Sequence, residues 1–397
     1  MAMENEKLFV ELEASQWTKT GQAACGDDFR CVRIPNEKRT IVVLSDGLGS
    51  GIKANLMASM TSTMALEFVR SNMDILQSAE TIMDSLPVCE IRKISYATFT
   101  VFDMQLGGKT RVIEMDNPPF IHLRNLIDLP KNNVKELVSE RWPDRKMKIT
   151  EVTMAPGDRL IAFSDGVTQA GLGCPGWKFG WRREGALNFI KRVVEKNPEI
   201  SARDLATMIA AEAMAVHPER KCKDDITCMV LYLRHPRVLR VITGPPFRKE
   251  TDREYANMAV FPEGKVVLCG GTTANIVSRE LRTRVDIDLK MVSRSGNLPP
   301  PGFMRGVGLV TEGILTLTQV AADLESGNWQ NSAAAAKEIV NLMMDSDIVE
   351  FIVGTKINEA HQDPMLPVDL EMRRNVIRRL KAVLENNYRK NVSIRYF

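Results

Sequence analysis

The sequence predicts an α+β domain of packed layers followed by a smaller α/β domain, and three observations carry that prediction. Short apolar runs bounded by turn residues recur through the first 234 residues, with helical spacing confined to two groups. The tripeptide Ser-Asp-Gly ends two of those runs, at Ser45-Asp46-Gly47 and Ser164-Asp165-Gly166. Beyond His235-Pro236 the pattern changes to strand–turn–helix segments, the signature of α/β architecture. The domains are therefore drawn as 1–236 and 237–397.

In chain order, LFVELEASQW opens as a strand, so a sensor domain ahead of it is not expected. Gly26-Asp27-Asp28 leads into an alternating run, and Pro35-Asn36-Glu37 turns it into the strand RTIVVLSDG. After Gly51, the residues Met57, Met60, Met64 and Phe68 form one helical stripe, read as core packing. YATFTVFDMQLGGKTRVIEM reads as a hairpin around Gly107-Gly108. Asn117-Pro118-Pro119 is a rigid turn before the strand FIHLRN, and two more strands flank Pro156-Gly157-Asp158. Helices follow at GALNFIKRVVEKN and SARDLATMIAAEAMAV, the latter capped by Ser201. Lys223-Asp224-Asp225 then enters the strand ITCMVLYL. In the second domain RVLRVITGPPF and KVVLC read as strands, with a helix over NIVSREL. GVGLVTEGILTL is a further strand-and-helix unit, and two amphipathic helices close the chain.

Composition narrows the function classes. At 397 residues, with 44% hydrophobic and 26% charged residues, the chain has the make-up of a soluble globular protein. A net charge of +3 gives no electrostatic case for nucleic acid or a membrane surface. No apolar run reaches transmembrane length, and MAMENEKLFVELE lacks a signal-peptide core. Seven cysteines without C-x-x-C and only four histidines argue against zinc and for free thiols in the cytoplasm. A homodimer is compatible with this composition.

The chemistry is carried by aspartates at strand ends: Asp27, Asp46, Asp165 and Asp224, with Asp225 as an alternative to its neighbour. Singly each reads as an ordinary turn residue. Together they make a hard-oxygen set without histidine or thiolate, suited to Mn²⁺ or Mg²⁺. Two such ions about 3.5–4 Å apart would activate water for in-line attack on a phosphate ester. Gly47-Leu48-Gly49-Ser50-Gly51 could instead cradle a phosphate directly, but it lacks both P-loop and dinucleotide-binding spacing. In the second domain Gly270, Gly271, Thr272 and Thr273 stand between a strand and a helix. They read either as an anion-binding helix start or as a capped tight turn.

The set CGDDF, VVLSDGLGSG, NPPF, APGDRLIAFSDGVTQAG, KFG and KDDITCMVLYL, in this order, resembles the 2C-type metal-dependent Ser/Thr protein phosphatases. Within them it resembles the bacterial branch like stage II sporulation protein E, over about Leu8 to Arg234. The resemblance implies a two-sheet antiparallel β-sandwich flanked by helices, in α-β-β-α layers. It implies that Asp27 holds a first metal ion, that Asp46 bridges two with the Gly47 carbonyl on the first, and that Asp165 and Asp224 hold the second. The expected substrate is phosphoserine or phosphothreonine in a regulatory protein of the anti-sigma-antagonist type. The rival expectation is a catalytically idle phosphatase fold serving as a ligand-sensing or protein-binding module.

Overall fold

A computed structural model describes residues 8–86, 97–105, 107–141, 146–287, 299–356 and 366–397. The chain divides into two compact units, Met1–His235 and Pro236–Phe397. Among the described residues no helix is long and apolar enough to cross a membrane, and six cysteines are free thiols.

Unit 1 contains β1 (Phe9–Trp17), β2 (Asp27–Ile34), β3 (Arg39–Gly47), α1 (Gly51–Arg70), α2 (Ile75–Ser85), β4 (Ala97–Gln105), β5 (Lys109–Met115) and β6 (Ile121–Arg124). It continues with β7 (Ile127–Asp128), β8 (Lys135–Val138), β9 (Lys146–Thr153), β10 (Arg159–Phe163), α3 (Asp165–Thr168), α4 (Arg182–Lys196), α5 (Ala202–Val216) and β11 (Ile226–Arg234). Two antiparallel sheets result, in the orders β1-β11-β10-β6-β7 and β2-β3-β4-β5-β9-β8. Strand alternation sorts their side chains into layers. Val42, Leu44 and Phe102 meet Leu160, Ala162 and Leu231 between the sheets. Ile41, Val43 and Val101 face outward under α1 and α2, while Ile161, Phe163 and Val230 lie under α4 and α5. The expected α-β-β-α layers are present. Ile41 through Leu44 are fully buried because β3 is covered on both faces, each side chain contributing roughly 1.5–3 kcal/mol.

Local chemistry accounts for the elements. Pro35–Glu37 forms a single 3₁₀ turn between β2 and β3, and Ser201 caps α5 by accepting from the Asp204 amide. The methionine stripe of α1 packs as expected, with Met57 buried and Met60, Met64 and Phe68 against the same cluster. Of the hairpin read over 96–115, Tyr96 and Leu106 lie outside the described residues. The helix α2 was not anticipated.

Unit 2 contains β12 (Val238–Thr243), α6 (Asp252–Asn257), β13 (Lys265–Cys269), α7 (Gly271–Leu281), β14 (Val285–Ile287), β15 (Gly302–Met304) and β16 (Gly308–Thr311). α8 (Ile314–Ser326), α9 (Ala334–Asp345), β17 (Ile348–Val353), α10 (Leu366–Tyr388) and β18 (Asn391–Tyr396) complete it. Its sheet runs β14-β15-β16-β13-β12-β17-β18. The five strands from β16 to β18 are mutually parallel. Successive residues of β12 and β13 enter opposite cores. Leu239, Val241 and Val267 pack under α8, α9 and α10, and Ile242, Val266 and Leu268 under α6 and α7. Helices thus cover both faces, as a parallel sheet requires. Here the sequence reading is corrected: the chain does not close on two helices alone, because α9 and α10 are each followed by a parallel strand.

Candidate metal centre

The antiparallel pairing of β2 with β3 sets Asp27 directly opposite Asp46. In the other sheet, β10 and β11 are also antiparallel, with Phe163 opposite Cys228. Asp165, just after β10, and Asp224 and Asp225, just before β11, therefore share one edge. A cross-sheet hydrogen bond joins the two pairs: the Thr227 hydroxyl donates to Asp27 Oδ2 at 2.6 Å. Both Ser-Asp-Gly glycines are required by close approach. A Cβ on Gly47 would stand 2.1 Å from the Ala54 carbonyl oxygen, and one on Gly166 1.9 Å from that of Asp225. Each serine braces its turn, Ser45 by donating to the Thr98 carbonyl and Ser164 by accepting from the Thr227 amide.

All five carboxylates are buried or half-buried, and among the described residues none forms an ion pair. Burial raises the pKa of Asp46 first, and the negative charges of Asp27, Asp165, Asp224 and Asp225 raise it further. Asp27 is likewise raised by burial, then by Asp225 and Asp165, against the lowering effect of the Thr227 and Ser164 hydroxyls. Asp165 is raised by burial and by Asp224, although Gln169 donates to it at 2.8 Å. Asp224 is raised by burial, with its neighbour's amide and Lys19 opposing. The Cys25 thiol beside them is pushed up to about 12 by burial and by Asp27.

The adjacent pair divides its allegiance. Asp225 accepts from the Lys19 amide at 2.8 Å and lies 2.8 Å from the Cβ position of Gly26, on the Asp27 side. Asp224 acts on Asp165 and accepts from the Asp225 amide at 3.0 Å. The five side chains are gathered at one edge without being drawn to a point: among the described residues, no three ligand-type side chains form a ready-made metal site. Yet Asp27 Oδ1 is buried with no hydrogen-bond partner. An orphaned anionic oxygen amid uncompensated carboxylates fits a divalent cation, whose charge offsets the repulsion. Sequence reasoning passed over Thr227 and Lys19. The signal for Thr227 was present, since it stands two residues from Asp225 at the entry of a strand, where side chains repeat their facing.

The α-β-β-α sandwich and its edge of aspartates define the class of protein. A model of the stage II sporulation protein E (SpoIIE) family matches residues 36–234, half of the chain, and the chain belongs to that family. No curated protein matches it. Among solved structures, the phosphatase domain of the cell fate determinant SpoIIE from Bacillus subtilis is 18% identical, over 58% of this chain and 94% of that one, with a TM-score of 0.42. The S. agalactiae serine/threonine phosphatase is 15% identical, over 56% and 99%, with a TM-score of 0.40. RsbX in complex with magnesium is 17% identical, over 56% and 95%, with a TM-score of 0.36.

Proposed function

We propose that unit 1 hydrolyses phosphoserine or phosphothreonine in a regulatory protein, with divalent cations held at the edge where the two sheets open. One observation carries this reading: five aspartates from four chain segments share a buried or half-buried edge and form no ion pair among the described residues. Such an arrangement costs stability unless cations occupy it. Asp27 and Asp46 would hold one Mn²⁺ or Mg²⁺ together with the Gly47 carbonyl, and Asp46, Asp165 and Asp224 the other. Asp225, on the Asp27 side, is placed to support the first. Bound there, the ions would lower the pKa of water and offset the phosphate charge.

The chain's own residues supply the rest. Thr227 fixes the Asp27 carboxylate through its hydroxyl, Gln169 orients Asp165, and the Lys19 amide holds Asp225. With water as the attacking group, no histidine or thiol is needed as a nucleophile. The test is hydrolysis of p-nitrophenyl phosphate with Mn²⁺ and with EDTA, beside Asp165→Asn. We expect metal-dependent turnover that the substitution abolishes. No turnover together with no Mn²⁺ heat by calorimetry would refute the reading. Mn²⁺ binding without turnover, even toward phosphopeptides, would favour the idle fold.

A further inference from the structure

The segment between α3 and α4 is anchored at its base and bare at its tip. The Trp181 amide donates to the Ala170 carbonyl at 2.9 Å, and a Cβ on Gly180 would stand 2.9 Å from the Thr168 carbonyl oxygen. Beside them Gln169 donates to Asp165, so the loop closes onto the turn that carries the aspartate. Trp181 belongs to the core. Beyond this base Leu172, Trp177 and Phe179 are exposed, Phe179 at 66%. Trp177 lies against Gly171, next to Leu172 in the chain. Three large apolar side chains crowded on one short loop differ from the scattered exposure that is normal for a surface.

The cations of this loop are not used within unit 1. Lys178 Nζ and the Arg182 guanidinium lie 5.5 and 5.8 Å from the centre of the Phe179 ring. Among the described residues neither pairs with a carboxylate. Arg182 is held there at a cost. It opens α4, where the helix dipole opposes a cation, and its φ of 64° is left-handed. Arg183 meets the same dipole but is compensated by the Pro119 and Phe120 carbonyls and by Asp128. Strain and opposed charge with no internal return point to an external partner.

The metal centre narrows that partner's chemistry. On the reading proposed above, two divalent cations leave one of the five carboxylate charges unbalanced, and a phosphoryl group brings about two more. Cations beside the edge then favour an incoming anionic segment. We propose that the loop 170–182 is the docking surface for the protein substrate. It would take an apolar side chain on Phe179 and Trp177 and acidic side chains on Lys178 and Arg182. The substrate class is a phosphorylated segment flanked by Asp or Glu and by an apolar residue, an inference that rests on unit 1 receiving a phosphoprotein.

The full chain with Mn²⁺ is titrated by fluorescence anisotropy with two labelled peptides. Each carries phosphonomethylalanine, a phosphoserine mimic that cannot be hydrolysed; one is flanked by Glu and Leu, the other by Lys and Leu. We expect the acidic peptide to bind about tenfold tighter or more, and Phe179→Ala to weaken it about tenfold. Lys178→Glu together with Arg182→Glu should reverse the preference, which a merely structural role would not do. All three side chains are exposed, so no variant should lower the melting temperature. Equal affinity for the two peptides, or an acidic preference that the variants leave unchanged, overturns the proposal. So does binding to phosphatidylserine vesicles that Phe179→Ala abolishes, with no discrimination between peptides, which would assign the loop to a membrane surface. The phosphoserine form of the acidic peptide separates this proposal from the reading of the metal centre. Preferential binding without phosphate release refutes hydrolysis and supports docking, whereas phosphate release with equal affinities does the reverse.

Discussion

The two units use the ends of their strands in opposite ways. At the edge of the sandwich in unit 1, strand starts and strand ends alternate because neighbours are antiparallel, and the polar character comes from side chains, five aspartates. In unit 2 the central strands all end at one edge, and helices begin there. Backbone amides then provide a positive field without any charged residue. An antiparallel edge must obtain its charge from sequence, whereas a parallel edge obtains much of it from topology. That is why the first edge is acidic and suited to cations, while the second, at the start of α7, is built from glycines.

The strongest way to break this contrast is to remove its acid half. Asp46→Asn should lower Mn²⁺-dependent turnover by about a hundredfold or more. It should also abolish the thermal stabilisation by Mn²⁺, which at a hundredfold excess over Kd is about 2.7 kcal/mol.

Next comes a carboxylate of the opposite kind in the same unit. Asp158 is fully buried, but Arg124 and His122 bond to it. Burial pushes its pKa up, and these partners with the Ala155 amide outweigh burial and hold it below the usual value. Asp158→Asn should cost about 3 kcal/mol at neutral pH by urea unfolding. Because the folded-state pKa is depressed, this contribution is full above the unfolded value and is lost as pH falls through the folded one. The gap between parent and variant should therefore close in acid; a constant gap would contradict the pairing.

Two smaller changes sharpen the comparison. Gly166→Ala forces a Cβ into the Asp225 carbonyl and should cost about 2 kcal/mol, with weaker Mn²⁺ binding measured by calorimetry. Thr227→Val removes the hydroxyl from Asp27 and should cost about 1 kcal/mol in chemical denaturation.

The acid edge was legible in the sequence because apolar runs ending in Ser-Asp-Gly mark where buried strands surface. The division between Asp224 and Asp225 was not, since it depends on Gly26 and Lys19, some two hundred residues away. Gly270–Thr273 stood out as a strand–helix junction, but the strand order that gives the junction its meaning is set by long-range pairing. The strands Ile348–Val353 and Asn391–Tyr396 escaped notice for a related reason. Each is six residues long, follows a strongly periodic helix, and is defined only by its parallel neighbour.

The bond from Thr227 to Asp27 has a mechanical consequence. It ties one sheet to the other at the edge where like charges push the sheets apart. Without cations this clasp works against a spring, and hydrogen exchange at the start of β2 and β11 should outpace that of the same strands at their far ends. Cations bound there would slacken the spring, and the sandwich should then breathe evenly along its length.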